Sequence, residues 1–428
     1  MSADPANTAW RWRWRWSAVI ALSLGALACD EPHRVDPCAD LTCSPVTNCD
    51  PGAKRCVAPD EVPERRAEQS PSLALSSKGE VYLAAYAKEG GDLLFGVWDP
   101  EDARVRYQVV DSLGDVGRSP SLALFADDRP AIAYYDASNH HAKFAYLDPE
   151  GRWRTEIIDA TASVGAELSL TIATDDVAHV AYRDLSHRAL RYAKRQEGIW
   201  QIEFVDTGSD RSLPPAEQCP AEQRERARRG LGFGVRIVAQ GSTPLISYHD
   251  GDCGSLRLAR KSASAWTVQV VDGWDRETYR GATPEPLTRV GRFSDLGVDL
   301  KGTVAVAYTD HTEGTLKVAR FPAGVPTIEV ADDGLRWQAN DVVIKHVVGQ
   351  MPTLAFEGET LVVIHQDARH RHLVLSRRLS DRWRHTPLPF ATEGFNPDLV
   401  IAPGRGRYLA AVNRTATARP RIEVLALP

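Results

Sequence analysis

The sequence predicts an all-β protein: a β-propeller of about seven four-stranded antiparallel blades, preceded by a small disulfide-rich stalk. Three observations predict it. Ser70-Pro-Ser-Leu-Ala-Leu75 recurs 49 residues later as Ser119-Pro-Ser-Leu-Ala-Leu124. A small residue followed by tyrosine then recurs in one register, as Ala85-Tyr86, Ala133-Tyr134, Ala181-Tyr182, Ser247-Tyr248 and Ala307-Tyr308. Each copy divides into four short runs of alternating polarity, separated by Gly, Asp and Pro. Four strands in a period of about 45–50 residues are the mark of a propeller blade.

The first element is a targeting segment. Residues 10–16 alternate Trp and Arg, with Arg11, Arg13 and Arg15 as a basic n-region. Residues 17–28 are apolar apart from Ser17, Ser23 and Gly25. That run is shorter than the ~20 residues of a membrane span and reads as a signal-peptide core. It ends Gly25-Ala26-Leu27-Ala28-Cys29. Small residues beside a cysteine resemble the lipobox of bacterial lipoproteins, although that family prefers Leu where Ala26 stands. The resemblance implies cleavage before Cys29, a lipidated (palmitate-bearing) Cys29, and anchoring in the cell envelope on the periplasmic or surface side. Ordinary signal cleavage, with Cys29 free or paired, is the alternative. Asp30 does not choose between inner and outer membrane.

The second element, residues 29–69, is a cysteine-rich linker. The chain has seven cysteines: Cys29, Cys38, Cys43, Cys49, Cys56, Cys219 and Cys253. Setting Cys29 aside leaves an even number in an oxidising compartment. Cys38, Cys43, Cys49 and Cys56 cluster in a stretch too poor in apolar residues to form a core, so two disulfides are expected to staple it. Three pairings are open. The stretch resembles half of an EGF-like module. A zinc site is the rival, counted against by the lack of paired C-x-x-C knuckles.

The third element, residues 70–428, holds the repeats. Two positions after the tyrosine stand Asp136, Asp184, Asp250 and Asp310, with Lys88 breaking the pattern. His365 and Asp367 continue it in a sixth copy, and Val412 and Arg414 mark a degenerate seventh. A third strip reads Leu190-Arg-Tyr-Ala193, Leu256-Arg-Leu-Ala259 and Leu316-Lys-Val-Ala319. A fourth runs from tryptophan to aspartate: Trp153 to Asp159, Trp200 to Asp206, Trp266 to Asp272. The last copy has room for three strands, and residues 57–65 are expected to supply its outer one. Six or eight blades stay open. The repeats resemble the Ala-Tyr-Tyr-Asp … Leu-Lys-Tyr-Ala … Trp propellers of bacterial envelope proteins and, more distantly, the sialidase-type superfamily. The S-x-D-x-G-x-x-W box of sialidases is absent. The resemblance implies a fold and carries no activity.

Topology points to one face. Loops joining second to third strands share it with the blade-to-blade connections. The longest connections are residues 207–230, 273–291 and 334–350. Cys219 and Cys253 both fall there, so a Cys219–Cys253 bridge is expected, with a short helix over residues 221–229 after Pro220. Asp136, Asp184, Asp250, Asp310 and Asp367 fall at the ends of the second strands. His140, His141, His187, His249, His311, His370 and His372 are expected in the loops that follow. These residues form either a polar ring for calcium, another divalent metal or a polar ligand, or structural Asx turns repeated with the blade. Trp274, Tyr279 and Arg280 break the repeat in a long loop. They suit sugar or protein contact, or fold over the rim.

Catalytic motifs are lacking. There is no G-x-S-x-G, no H-E-x-x-H and no P-loop, and Gly230-Leu-Gly-Phe-Gly234 leads into a strand. A net charge of −6 offers no field for nucleic acid. The expectation is a non-catalytic envelope module binding a protein or glycan, tied to the membrane by lipid and needing no cofactor. The alternatives are a metal-assisted hydrolase or lyase, which needs non-repeating polar residues converging on one face, and a lectin with one site per blade.

Overall fold

The computed structural model describes residues 48–50, 55–57, 67–209, 213, 229–263, 265–273, 289–322, 324–337, 343–370, 372–380, 382–391, 397–402, 406–413 and 421–427. They form nine antiparallel sheets in which each strand pairs with the next in sequence: seven blades and two separate two-stranded sheets. Blade one runs from Ala67 to Asp111, two from Val116 to Asp159, three from Val164 to Asp206, and four from Phe233 to Asp272. Blade five runs from Val290 to Asp332, six from Gln350 to Ala391, and seven from Asp398 to Leu427.

The first strand of each blade packs against the first strand of the next, and Asp398–Ala402 packs against Ala67–Leu75, which closes the ring. Second strands are covered by blades on both sides. They are therefore buried on both faces instead of alternating, and Pro130–Asp136 and Val304–Asp310 are buried at every residue. Outer strands such as Trp153–Asp159 are wetter over most of their length. Apolar side chains gather at the blade junctions: Phe144, Ile158 and Val180 join blades two and three, and Leu83, Leu94 and Ala410 join one and seven.

Entry into blades two, three, five and six is tight. Gly165 opens the first strand of blade three at φ +90°, and a Cβ there would stand 2.9 Å from the Ala142 Cα. Gly349 repeats this in blade six, 2.7 Å from the Leu316 Cα. Only glycine permits both the left-handed turn and the backbone approach.

One face is stitched by backbone hydrogen bonds. Val164 N–H donates to the His140 carbonyl in the second loop of blade two, and Leu185 N–H in that of blade three donates to the Ser163 carbonyl. The same exchange recurs at the next three junctions. Second loops and blade-to-blade connections therefore share a face, as topology required.

Among the described residues blade seven has three strands. Val57, expected in a fourth, pairs with Asn48 in a separate two-stranded sheet whose register sets Cys49 opposite Cys56. The remainder of residues 57–65 lies outside the described residues, as do the signal segment with Cys29, Cys38, Cys43 and Cys219. So do residues 221–228 of the helix expected over 221–229, and Arg229 is not helical.

Candidate functional site

The repeated residues build latches between blades. Asp206 ends the outer strand of blade three. Its Oδ2 accepts the Tyr248 hydroxyl (2.6 Å) and Arg257 Nη1 (2.9 Å), both from blade four. Arg257 Nη2 reaches Asp250 Oδ2 at 2.6 Å, with only 1% of its side chain exposed. Asp250 Oδ1 accepts the N–H groups of Asp252 and Cys253 and so holds the turn. One guanidinium thus bridges two buried carboxylates, each also hydrogen-bonded, which is what burying such charges requires.

The latch recurs as Tyr182, Asp159, Arg191 and Asp184 between blades two and three. It recurs as Tyr134, Asp111, Lys143 and Asp136, and as Tyr308, Asp272, Lys317 and Asp310. Burial, then the adjoining aspartates, drives the Tyr134, Tyr182 and Tyr308 phenols far up, so they remain donors. Tyr86 departs from the pattern and bonds Asp115.

A second, wetter latch lies further along the same outer strands. Glu156 accepts both Arg195 (2.7 Å) and Trp200 Nε1 (3.2 Å). Glu203 accepts Lys261 and, at 3.0 Å, Trp266 Nε1. The fourth-strip tryptophans Trp200 and Trp266 therefore tie blades together.

Each second-strand aspartate is engaged in the same way. Oδ1 of Asp136, Asp184, Asp310 and Asp367 accepts the turn backbone, from Asn139, His187, Thr312 and Arg369 respectively. His249 stands inside the second strand of blade four and not in the loop after it. There its Nδ1 faces the Val290 carbonyl at 2.8 Å, and burial above all lowers its pKa to about 4. His311 follows Asp310 against Phe293, lowered first by burial. Cys253 is buried and disulfide-bonded. Trp274, Tyr279 and Arg280 lie outside the described residues.

The junction of blades five and six is built differently. His365 replaces the tyrosine, and Val374 replaces the third-strand cation. The connection there forms a hairpin, Leu335–Trp337 paired with Val343–Lys345, closed at its base where His346 N–H donates to the Gly334 carbonyl. This insertion supplies other partners for the two aspartates. Arg336 grips Asp332 through both terminal nitrogens (2.9 and 2.7 Å), and His346 Nδ1 meets Asp367 Oδ2 at 2.7 Å with both side chains buried.

With the third-strand cation gone, imidazoles occupy the space. Gly349 N–H donates to His365 Nδ1 (3.1 Å), which leaves the ring proton on Nε2. That nitrogen lies 2.9 Å from Ser376 Oγ and 3.5 Å from Asp332 Oδ2. Ser376 Oγ in turn lies 2.8 Å from His385 Nδ1. The result is a polar relay from a buried amide to His385, whose side chain is 31% exposed. Burial, outweighing Asp332 and aided by His385 and Arg336, lowers His365 to about 4. Burial pushes Asp332 up, but Arg336 with His365 and His385 holds it below the usual carboxylate range. Ser376 is fully buried and cannot reach a substrate as a nucleophile.

Asp332, His365 and His385 form one group of potential metal ligands, and His346, Asp367 and His370 form another. Arg336, His346 and His385 are absent from the sequence reading. The signal for them was the sixth copy itself, which loses its tyrosine and its cation just after a long connection.

No protein-family model matches the chain, and neither does any curated protein. Solved structures do. The polysaccharide lyase Uly1 is 9% identical with a TM-score of 0.52, covering 84% of this chain and 90% of its own. The SapL1 lectin, solved with α-methyl fucoside, is 13% identical with a TM-score of 0.45, covering 76% and 98%. A mutant of NanB sialidase from Streptococcus pneumoniae is 9% identical with a TM-score of 0.41, covering 83% and 66%. The chain is a seven-bladed β-propeller, similar in fold to the polysaccharide lyase Uly1.

Proposed function

We propose that the protein is a non-catalytic binding module of the bacterial cell envelope. It is exported, held to the membrane by lipid on Cys29, raised on a cysteine-stapled stalk, and presents one propeller face to a protein or glycan. One observation carries this reading. The repeated charged groups are engaged between blades, while the three longest connections fall at three successive junctions on the stitched face. Recognition by this ring therefore belongs to non-repeating segments on one side of one face, which suits a single ligand better than one site per blade. Glycans enter the ligand panel because a polysaccharide lyase shares the fold.

Two experiments test it. Fractionation of cells expressing wild type and Cys29→Ser reads the anchor: wild type is expected in the membrane fraction with lipid on Cys29, and the variant released. Release of both sinks the anchor. A thermal-shift and glycan-array screen of residues 30–428, with crosslinking in intact cells, reads the ligand. A single ligand whose binding is lost in Trp274→Ala/Tyr279→Ala supports the insertion face. Binding indifferent to that change moves the site elsewhere.

The histidine-rich junction favours a second reading, a metal-assisted hydrolase or lyase. Turnover of any ligand found, abolished by chelation, would select it over the first.

A further inference from the structure

The groups at the junction of blades five and six differ in what they can hold. In the Asp332–His365–His385 group, His365 Nδ1 accepts the Gly349 N–H, so its Nε2 carries a proton turned toward Ser376 and Asp332. A metal on that nitrogen needs the other tautomer, which would set two N–H groups against each other. This group is a hydrogen-bond relay.

The His346–Asp367–His370 group has no such conflict. His346 sits at the base of the inserted hairpin with its side chain fully buried, and its Nδ1 is held by Asp367 at 2.7 Å. Its Nε2 is buried and has no hydrogen-bond partner. An ion held together with Asp367 takes Nδ1, the nitrogen that already faces the carboxylate, in place of its proton; the ring proton then sits on Nε2, where it meets no other donor. The His370 ring packs edge-on to His346, centroids 4.5 Å apart, with Nδ1 3.6 Å from Asp367 Oδ2. One donor atom from each of the three lies within 4.8 Å of the other two. Tetrahedral ligands at zinc–nitrogen distances of about 2.0–2.1 Å stand roughly 3.3 Å apart, so closure needs a shift of at most about 1.5 Å. His370 can supply it: it lies in a turn, and its side chain is 49% exposed, which also gives an ion its entry path. His372 stacks on its outer side, rings 5.3 Å apart.

We propose that His346, Asp367 and His370 form a site for a divalent transition metal, joining the blade-five insertion to blade six. Two imidazoles and one carboxylate select zinc and its neighbours over calcium, which asks for six or more oxygens. The ion cross-links a hairpin, a second strand and a second loop. The site stands apart from the ligand reading above, and neither falls with the other.

The test uses the full-length protein in detergent, free of any histidine tag and stripped by chelator. Zn2+ titrated by calorimetry is expected to bind at one ion per chain and raise the melting temperature, and Co2+ to give a tetrahedral visible spectrum. Ca2+ is expected to do neither. His370→Ala, at an exposed turn, should keep the apo melting temperature and weaken Zn2+ binding at least ~10-fold. His385→Ala, in the relay, should leave Zn2+ affinity unchanged. No saturable Zn2+ binding by wild type, or undiminished binding by His370→Ala, overturns the site. Loss of binding in His385→Ala with retention in His370→Ala also overturns it and places the ion in the other group.

Discussion

The junction of blades three and four and that of blades five and six begin from the same plan and end differently. In the first, Tyr248 and Arg257, both of blade four, engage Asp206 and Asp250. In the second, the inserted hairpin brings Arg336 to Asp332 and His346 to Asp367. The difference teaches how a repeat is released for other use. Two buried aspartates need a cation whatever its source, so a cation supplied by an insertion frees the third strand to carry Val374 and Ser376. The tyrosine position is then free to carry a titratable imidazole. The Arg257 side chain is sealed from solvent at one junction, and the other reaches solvent at His385.

The largest effect should come from breaking the closed junction. Arg257→Met removes the guanidinium shared by two buried carboxylates, and breaking such a pair costs about 3–5 kcal/mol. Urea unfolding at pH 7 should show that loss. Arg257→Lys should cost far less, because Lys143 and Lys317 fill the same place in blades two and five. Arg336→Met should cost less than Arg257→Met, because 26% of the Arg336 side chain is already in water. Equal losses from the two methionine variants would mean that the hairpin is as integral as the repeat.

The next effect is a pH dependence confined to the open junction. Folded His365 stays neutral down to about 4, held there first by burial. In the unfolded chain an imidazole protonates near 6.5. Its contribution is therefore whole above pH 6.5, falls as the pH drops, and is gone once the pH passes below about 4. At pH 5 the loss is roughly 2 kcal/mol, at ~1.4 kcal/mol per pH unit. His365→Tyr/Ser376→Ala restores the residues found in blades two to five except for the cation, which Arg336 supplies. This variant should match wild type at pH 7 and exceed it at pH 5. His249 and His179, also lowered to about 4 by burial, remain in both proteins and cancel in the comparison. An unchanged acid profile would remove His365 from the proton balance.

The plan of the ring was legible because it is written seven times. The tyrosine register, the tryptophan-to-aspartate strip and the closing aspartates each recur, and recurrence survives the loss of a member such as Tyr at 365. The latches were half legible. Arg191, Arg257 and Lys317 stood in the quoted Leu-Arg/Lys-x-Ala strips, yet only the cross-blade approach to Asp159, Asp206 and Asp272 gives them a role. The Val-Gly pairs at 116–117, 164–165, 290–291 and 348–349 also recur, and they mark each tight entry. The open junction was illegible for the opposite reason. His346, Arg336 and His385 occur once, far apart in sequence, and only the folding of the hairpin onto blade six brings them together.

The smallest effect separates the two latches at a single junction. Glu203 ties blade three to blade four through Lys261 and Trp266 Nε1, but 40% of its side chain is exposed. An ion pair in water contributes about 1 kcal/mol or less. Glu203→Gln keeps an acceptor for the indole and loses only the charge, so its cost should lie below that figure. It should shrink further in 1 M salt, where screening acts over about 3 Å. The Arg257 latch, sealed from solvent, should lose none of its contribution at that salt. A salt-insensitive Glu203→Gln would show that the outer latch acts through shape and hydrogen bonding. A salt-sensitive Arg257→Met would show that water enters the inner latch, and the contrast between closed and open junctions would then rest on composition alone.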